Sequence, residues 1–172
     1  MVESSYDVVL QVVIGGDDKS GGRLPENLNN VTKQLKNNYQ FADYRLANTY
    51  IGRIANGGNF EFKSVSNIFG RAADSETPSF LEWTLGGLRA GPNAAGKNEL
   101  MLQVFRFGAR IPIRTGGVRE EGGKPFPVIN YEAIGLSSGR VTLSENTPTL
   151  LGSLSLPTSD HSMFLVLTLR PA

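Results

Sequence analysis

The chain has 172 residues, of which 40% are hydrophobic and 19% are charged, and its formal net charge is +1. This composition is typical of a globular protein, and the length suits a single domain spanning residues 1–172. A net charge so close to zero gives no overall attraction to nucleic acid or to an anionic membrane. The absence of cysteine excludes disulfides, thiolate nucleophiles and cysteine-based metal sites.

No stretch of the sequence approaches the roughly 20 consecutive apolar residues that a membrane-spanning helix requires. The chain also lacks an opening basic segment followed by the apolar run of an export signal. Instead, Met1–Ser5 leads directly into a strand pattern. Such a start fits an exported protein whose signal has been removed, so we expect a periplasmic or extracellular location.

The first three predicted elements are a strand, a helix and a strand. Tyr6–Ile14 alternates in apolar character and is partly apolar on its second face, which is typical of a central strand. Pro25–Asn38 places its leucines and Val31 on one stripe opposite Asn, Lys and Gln, which predicts an amphipathic helix. Tyr44–Ile54 is the second strand. This order allows either a βαβ-like crossover or a split arrangement.

From residue 59 onward the pattern predicts strands only, separated by turns rich in Gly, Pro, Asn and Ser. The predicted strands are Asn59–Ser66, Phe80–Leu88, Glu99–Arg114, Val128–Leu136, Arg140–Ser144, Thr149–Leu154 and Met163–Arg170. The last of them is apolar on both faces, so we expect it to be central. A spacing of about ten residues between strands favours two packed sheets or a barrel.

One predicted strand changes phase part-way along. Leu100, Leu102 and Val104 occupy even positions, whereas the apolar residues from Phe105 to Ile113 occupy odd positions. Strand side chains alternate with a period of two, so a change of phase requires an extra residue. We therefore predict a β-bulge near Val104–Phe105. Two separate strands in different sheets fit the pattern equally well.

Residues 91–98, GPNAAGKN, contain the G-x-x-x-x-G-K core of a phosphate-binding P-loop. A P-loop also requires Ser or Thr after the lysine, to hold Mg²⁺, and a following helix whose N-terminus faces the phosphates. Here Asn98 follows Lys97, and the next residues alternate as a strand does. The sequence therefore predicts a hairpin turn at this position.

A row of arginines is the strongest candidate for a binding site. Arg106, Arg110 and Arg114 share a face opposite the apolar residues of their strand, and Arg119 follows in a glycine-rich segment. At about 3.3 Å per residue, neighbouring arginines of the row lie about 13 Å apart. The row suits phosphates, acidic glycans or the carboxylates of a partner. It equally suits a solvated edge strand, which Pro112 favours because proline cannot donate to a ladder.

No pattern in the sequence indicates catalysis. His161 is the only histidine, and it lies in a polar turn with no G-x-S-x-G motif anywhere in the chain. The acidic residues at 17–18 and 120–121 are loop doublets without the spacing of a calcium loop. We therefore predict no catalytic residue, no metal site and no cofactor. A carboxylate-dependent hydrolase is retained as a third functional class, because two carboxylates across a cleft suffice for one.

Two parts of the chain resemble bacterial proteins. Leu24–Leu46 is similar to a pattern in small exported bacterial proteins of uncharacterised function. The stretches Gly139–Leu143, Leu151–Ser153 and Phe164–Leu169 resemble the last β-hairpin of outer-membrane secretin domains. These resemblances imply an envelope location and an assembly or binding role, and neither of them carries a catalytic motif.

These patterns predict an α+β fold of mostly antiparallel sheet, with two packed sheets and one N-terminal amphipathic helix against a sheet face. The predicted core residues are Val8, Leu10, Val12, Leu28, Val31, Leu35, Trp83, Leu100, Leu102, Leu165 and Leu167. The predicted function is a non-catalytic, exported or envelope-associated module that binds an unidentified protein partner, with strand edges available for β-augmentation. The alternative is a module that binds an anionic ligand through Arg106, Arg110, Arg114 and Arg119.

Overall fold

The computed structural model describes residues 4–17, 23–66, 78–121, 124–157 and 160–172, with the backbone alone for 114–121 and 124–128. This part of the chain contains one α-helix, preceded by a 3₁₀ turn at Glu26–Leu28, and nine strands. The elements are β1 (Ser5–Gly16), α1 (Asn29–Asn38), β2 (Asp43–Ala55), β3 (Phe60–Ser66), β4 (Ser79–Gly86), β5 (Arg89–Pro92), β6 (Asn98–Glu121), β7 (Lys124–Ser144), β8 (Thr149–Ser155) and β9 (Ser162–Pro171).

All the predicted strands are present, and the differences lie in their bounds. The predicted Val128–Leu136 and Arg140–Ser144 are parts of one strand, β7, which pairs with β6 along its whole length. The Ser137–Gly139 segment between them favours a turn by composition, but its pairing with β6 keeps it extended. The short strand β5 was not predicted, because four residues are too few to show a period.

The strands form two antiparallel sheets, which confirms the predicted fold class. Sheet A has four strands in the order β2-β1-β9-β8. Sheet B has five strands: β3 pairs with β4, β4 and β5 pair with successive parts of one edge of β6, and β7 pairs with the other edge. Because β1 and β2 are antiparallel neighbours, the helix between them is not a βαβ crossover.

The main core lies between the two sheets. It contains the even-numbered residues of β1 and the odd-numbered residues of the central strand β9, which face side chains of β4 and β6. Trp83 is fully buried there and lies 5.0 Å from Phe60 and 5.8 Å from Phe62, measured between ring centroids. All eleven predicted core residues are fully buried, eight of them in this cluster and three on the 3₁₀ turn and the helix.

A second, smaller core joins the helix to the outer face of sheet A. Leu28, Val31 and Leu35 form the buried stripe of the 3₁₀ turn and α1, and they pack on Phe164 and its neighbours. The carbonyl of Leu35 at the end of the helix accepts hydrogen bonds from the backbone N–H of Tyr39 (2.9 Å) and the hydroxyl of Tyr44 (3.1 Å). Strand β2 therefore satisfies the end of the helix that packs above it.

The predicted β-bulge near Val104–Phe105 is wrong, although the change of phase is present. Leu102 and Phe105 are both fully buried, yet β6 keeps a constant register with its neighbours through this region. The chain on one side of β6 changes phase at the same level, since Leu85 and Leu88 are both buried. The inward-facing side chains change from even to odd positions in β6 and, at the same level, from odd to even positions in the segment that runs from β4 to β5. Because β6 and its neighbour change together, their pairing is kept without an extra residue in β6.

Two residues with positive φ lie beside the point in β6 where the phase changes. Gly87, at φ 65°, and Arg140, at φ 54°, lie on opposite sides of Gln103 in β6. A Cβ on Gly87 would lie 2.6 Å from the side-chain oxygen of Gln103. The register shift that the structure does show in the β6–β7 ladder lies between Thr115 and Val118.

Candidate binding face

The two sheets differ in how their outer faces are covered. The helix covers part of the outer face of sheet A, whereas the described residues place no second layer on the outer face of sheet B. Val65, Phe80 and Tyr131 are exposed on that face by 56%, 43% and 44%. Exposed apolar side chains gathered on one face are a common mark of an interaction surface.

Register places the side chains of this face in rows across β3, β4, β6 and β7. The first row is Val65, Phe80, Arg110 and Ala133; the second is Lys63, Glu82, Gly108 and Gly135; the third is Glu61, Thr84, Arg106 and Ser137. Neighbours within a row are about 4.8 Å apart, and successive rows are about 7 Å apart. A groove of about 680 Å³ lies over the first two rows.

Two glycines, Gly108 and Gly135, are paired in the second row, and Gly108 lines the groove. A Cβ on Gly108 would meet only the Glu82 side chain, with 3.4 Å to its Oε1 atom, so the space above this glycine is open. A Cβ on Gly135 would lie 2.9 Å from the backbone oxygen of Phe107, which no side chain at that position can avoid. The floor of the groove is therefore low at Gly108, and glycine is required at the neighbouring position 135.

An aromatic pair lies at the first-row end of the groove, where Phe80 lines the groove and Tyr131 lies one row beyond it. The rings of Phe80 and Tyr131 lie 5.9 Å apart between centroids and are tilted by 43°. The Tyr131 hydroxyl donates a hydrogen bond of 3.1 Å to the carbonyl of Pro78. This bond holds the ring of Tyr131 over the end of β4, so the apolar wall is positioned by both strands.

The structure places two of the four predicted arginines on this face. Arg106 and Arg110 are exposed on β6, on either side of Gly108, and Arg110 lines the groove. Neither guanidinium makes an ion pair or a hydrogen bond with the described residues. The side chains of Arg114 and Arg119 lie outside the described part of the chain. Among the described residues, Arg110 therefore has no partner that offsets its positive charge, and it lies beside the aromatic residue Phe80.

The other charges of the face lie on β3 and β4. The Nζ atom of Lys63 forms an ion pair of 3.1 Å with Glu61. The hydrogen bond from Lys63 to Glu61 raises the pKa of the lysine, and the charge of Glu82 adds a smaller effect in the same direction. Lys63 is thus paired on its own strand, and β6 carries the cations without an ion-pair partner among the residues described on this face.

The other sequence candidates are structural. In the loop at residues 93–97, the side-chain oxygen of Asn93 accepts hydrogen bonds from the backbone N–H groups of Ala95 (2.9 Å) and Lys97 (3.0 Å). These donors close a turn between β5 and β6, as predicted, and no helix follows. The ring of His161 packs against Gly16, where a Cβ would lie 2.1 Å from it.

The carboxylates do not form a recognisable site within the described ranges. Glu82 is the single carboxylate among the described residues that line the groove. No group of three or more His, Asp or Glu residues in those ranges is placed to hold a metal ion. The described helices also include none long and apolar enough to cross a membrane.

No protein-family model matches the chain, and no curated protein matches it. Among solved structures, it is similar to the InvG secretin domain β-barrel from the Salmonella SPI-1 injectisome NC-base, at 10% sequence identity and a TM-score of 0.36. The alignment covers 100% of this chain and 64% of that one. A score of this size is too low to carry an argument about function.

Sequence reasoning found the arginines of this face and missed its apolar wall. The sequence places Phe80 in a predicted strand, in phase with the polar residues Glu82 and Thr84 of β4. An aromatic residue on the polar side of a strand is a signal that was available. The pairing of Phe80 with Tyr131 was not, because these residues are brought together by register across β6.

Proposed function

We propose that this chain is a non-catalytic interaction module that binds a segment of another protein on the outer face of sheet B. The observation that carries the proposal is the groove of about 680 Å³, bordered by exposed Val65 and Phe80 and left uncovered by the described residues. Partners commonly bind at exposed apolar surfaces surrounded by polar groups.

Arg110 would contribute to binding under both hypotheses, the protein-interaction module and the module for an anionic ligand. Because this arginine lines the groove with no ion-pair partner among the described residues, a partner with negative charge is favoured over a basic one. The hydrolase alternative gains no support from the groove. A glycosidase of the usual kind uses two carboxylates, and Glu82 alone lines the described part.

We also propose that the protein acts outside the cytoplasm, in the envelope or beyond it. The support is the resemblance of Leu24–Leu46 to exported bacterial proteins. Fractionation of the source cells, with an antibody against the folded protein, checks this part directly. Recovery in the cytoplasmic fraction alone contradicts it.

The binding face is tested with a pair of glycine variants. Gly108→Val places a side chain on the floor of the groove with ordinary contact to Glu82, so the strand should tolerate it. Gly91→Val is the matched control, because a Cβ on Gly91 in β5 meets nothing within 4 Å. Each protein is immobilised and exposed to an extract of the source cells, and retained proteins are identified by mass spectrometry.

We expect a partner that is retained by the wild type and by Gly91→Val and is lost with Gly108→Val. Circular dichroism and urea unfolding establish that the variants are folded. A partner retained equally by all three proteins contradicts the proposed face. A photo-crosslinking residue at position 80 gives an independent check, because it should label the same partner.

A further inference from the structure

We infer that the groove of sheet B recognises an extended protein segment in which an aspartate or glutamate side chain lies next to an aromatic side chain. This inference rests on the proposed function and specifies the chemistry of the partner. The carboxylate pairs with Arg110, and the aromatic ring packs on Phe80 and Val65. The first row of the face supplies all three contacts side by side.

The charge of Arg110 determines the first half of this specificity. Its guanidinium has five donors, and the described residues accept from none of them. Arg106 lies four residues away on the same face and is also unpaired among those residues. A guanidinium matches a carboxylate with two parallel hydrogen bonds, so Arg110 can hold an acidic side chain of the partner, while Arg106, about 13 Å away along β6, is too far to share it.

The aromatic wall determines the second half. Phe80 lies directly opposite Arg110 in the β4–β6 ladder, and Val65 lies opposite Phe80 in the β3–β4 ladder. Cross-strand neighbours are about 5 Å apart, and side chains that share one face of an extended segment are about 7 Å apart, so a segment that crosses the strands of sheet B can place two such side chains over neighbouring strands. One partner residue can therefore contact the arginine while the next on the same face contacts the apolar pair.

Glu82 restricts where the carboxylate can bind. Its Oε1 atom lies 3.4 Å from the Cβ position of Gly108, so its negative charge leans over the floor of the groove. A partner carboxylate above Gly108 would meet a like charge, whereas one beside Arg110 is a row farther away. The face therefore accepts a single acidic group at the Phe80 end and disfavours a run of acidic residues.

The test uses a fluorescein-labelled peptide of alternating Ser and Thr with a central Phe and an Asp two positions later. Companion peptides replace the Asp with Asn or with Lys, or the Phe with Ala. Affinity is measured by fluorescence anisotropy at low salt and again at higher salt. We expect the Asp peptide to bind about tenfold more tightly than the Asn peptide, as a hydrogen-bonded charge pair supports. Added salt should reduce this difference.

Arg110→Gln should remove the difference between the Asp and Asn peptides. Arg89→Gln is the matched control, because Arg89 is an exposed arginine of the same sheet on β5, away from the groove. The control should retain the difference in full. Loss of the difference in both variants would mean that only general charge matters, and this overturns the inference.

The remaining outcomes separate the inference from the proposed function. Equal affinity of the wild type for the Asp and Asn peptides overturns the inference, while loss of binding with the Phe→Ala peptide and with Gly108→Val still supports the face. If no peptide binds, the inference is wrong, and the capture experiment decides the proposed function separately. Light scattering that shows a dimer in the wild type and a monomer in Gly108→Val assigns the face to a second copy of the chain and overturns both.

Discussion

Tyr44 is the residue that most directly ties the helix to the sheet beneath it. It is 7% exposed, and its hydroxyl donates to the carbonyl of Leu35 in α1. Its ring contacts Phe41 and Phe164 edge-on, with centroid distances of 6.1 and 5.8 Å. Burial raises the pKa of Tyr44 above its usual value of 10.0. The neutral hydroxyl is therefore part of the second core, and ionisation works against folding.

Tyr44→Phe should change both stability and its dependence on pH. At neutral pH we expect a loss of about 1 kcal/mol in the free energy of unfolding, because one hydrogen bond is removed. Since the folded-state pKa is raised, the stabilisation from the neutral hydroxyl is complete below pH 10 and is lost as pH rises through the raised value. The wild type should therefore lose more stability than the variant above pH 10.

Urea unfolding of both proteins across this pH range measures the effect. Burial also raises the pKa of Tyr6, so both proteins should weaken at alkaline pH, and only the difference between them reports on Tyr44. A constant difference at every pH would show that Tyr44 ionises as easily in the folded protein as in the unfolded chain.

At the scale of elements, the shared change of phase in sheet B is the main departure from regular structure. Strand β6 can bury both Leu102 and Phe105 because the two residues that flank Gln103 on the adjacent chains, Gly87 and Arg140, adopt positive φ. Glycine reaches that conformation without strain, whereas an arginine does so at a cost. A side chain is therefore unfavourable at position 87, whereas glycine is favourable at position 140.

Gly87→Ala and Arg140→Gly should shift stability in opposite directions. We expect Gly87→Ala to lower the free energy of unfolding by about 1–2 kcal/mol, because φ is 65° and a Cβ would crowd Gln103. Arg140→Gly should leave it unchanged or raise it by about 0.5 kcal/mol, since relief of the backbone exceeds the entropic cost of glycine. Urea midpoints give both values, and a loss in both variants would contradict the shared change of phase.

The elements show how far the sequence reaches. Periodicity within one segment predicted β1, the helix and the change of phase near Val104, because each depends on neighbouring residues alone. Two features could not be predicted in this way: β6 has no bulge near Val104, and two predicted strands form the single strand β7. Both depend on the neighbouring strands, which are set by register between distant parts of the chain. The same limit applies to the candidate binding face: the sequence alone places Arg106 and Arg110 on one face of β6, but the contact between Phe80 and Tyr131 depends on register across three strands.

At the scale of the whole molecule, the first and last strands are neighbours in the middle of sheet A. Residues Tyr6 and Pro171 are paired, and the backbone N–H of Ala172 donates to the carbonyl of Ser5 at 2.9 Å. Strand β9 is buried along most of its length between β1 and β8. The fold therefore requires contact between the two ends of the described chain.

A circular permutant should fold faster than the natural order. Joining Ala172 to Ser4 by a short Gly/Ser linker and opening the turn at Gly57–Gly58, between β2 and β3, converts the β1–β9 pair into a local hairpin and leaves the β1–β2 and β4–β6 pairs local. Lower contact order speeds folding, so we expect a refolding rate at least several times higher at similar stability. Stopped-flow fluorescence of Trp83 measures the rate. An unchanged rate would show that the β1–β9 pair forms after the limiting step.

The pairing of β1 with β9 also has a consequence for synthesis on the ribosome. Strand β1 is buried along most of its length, and one of its two partners, β9, is the last strand of the described chain. At about 5–20 residues per second, roughly 8 to 30 s separate the emergence of the two strands. During that interval sheet A lacks its central strand β9, so the edge of β1 that pairs with β9 stays without its partner.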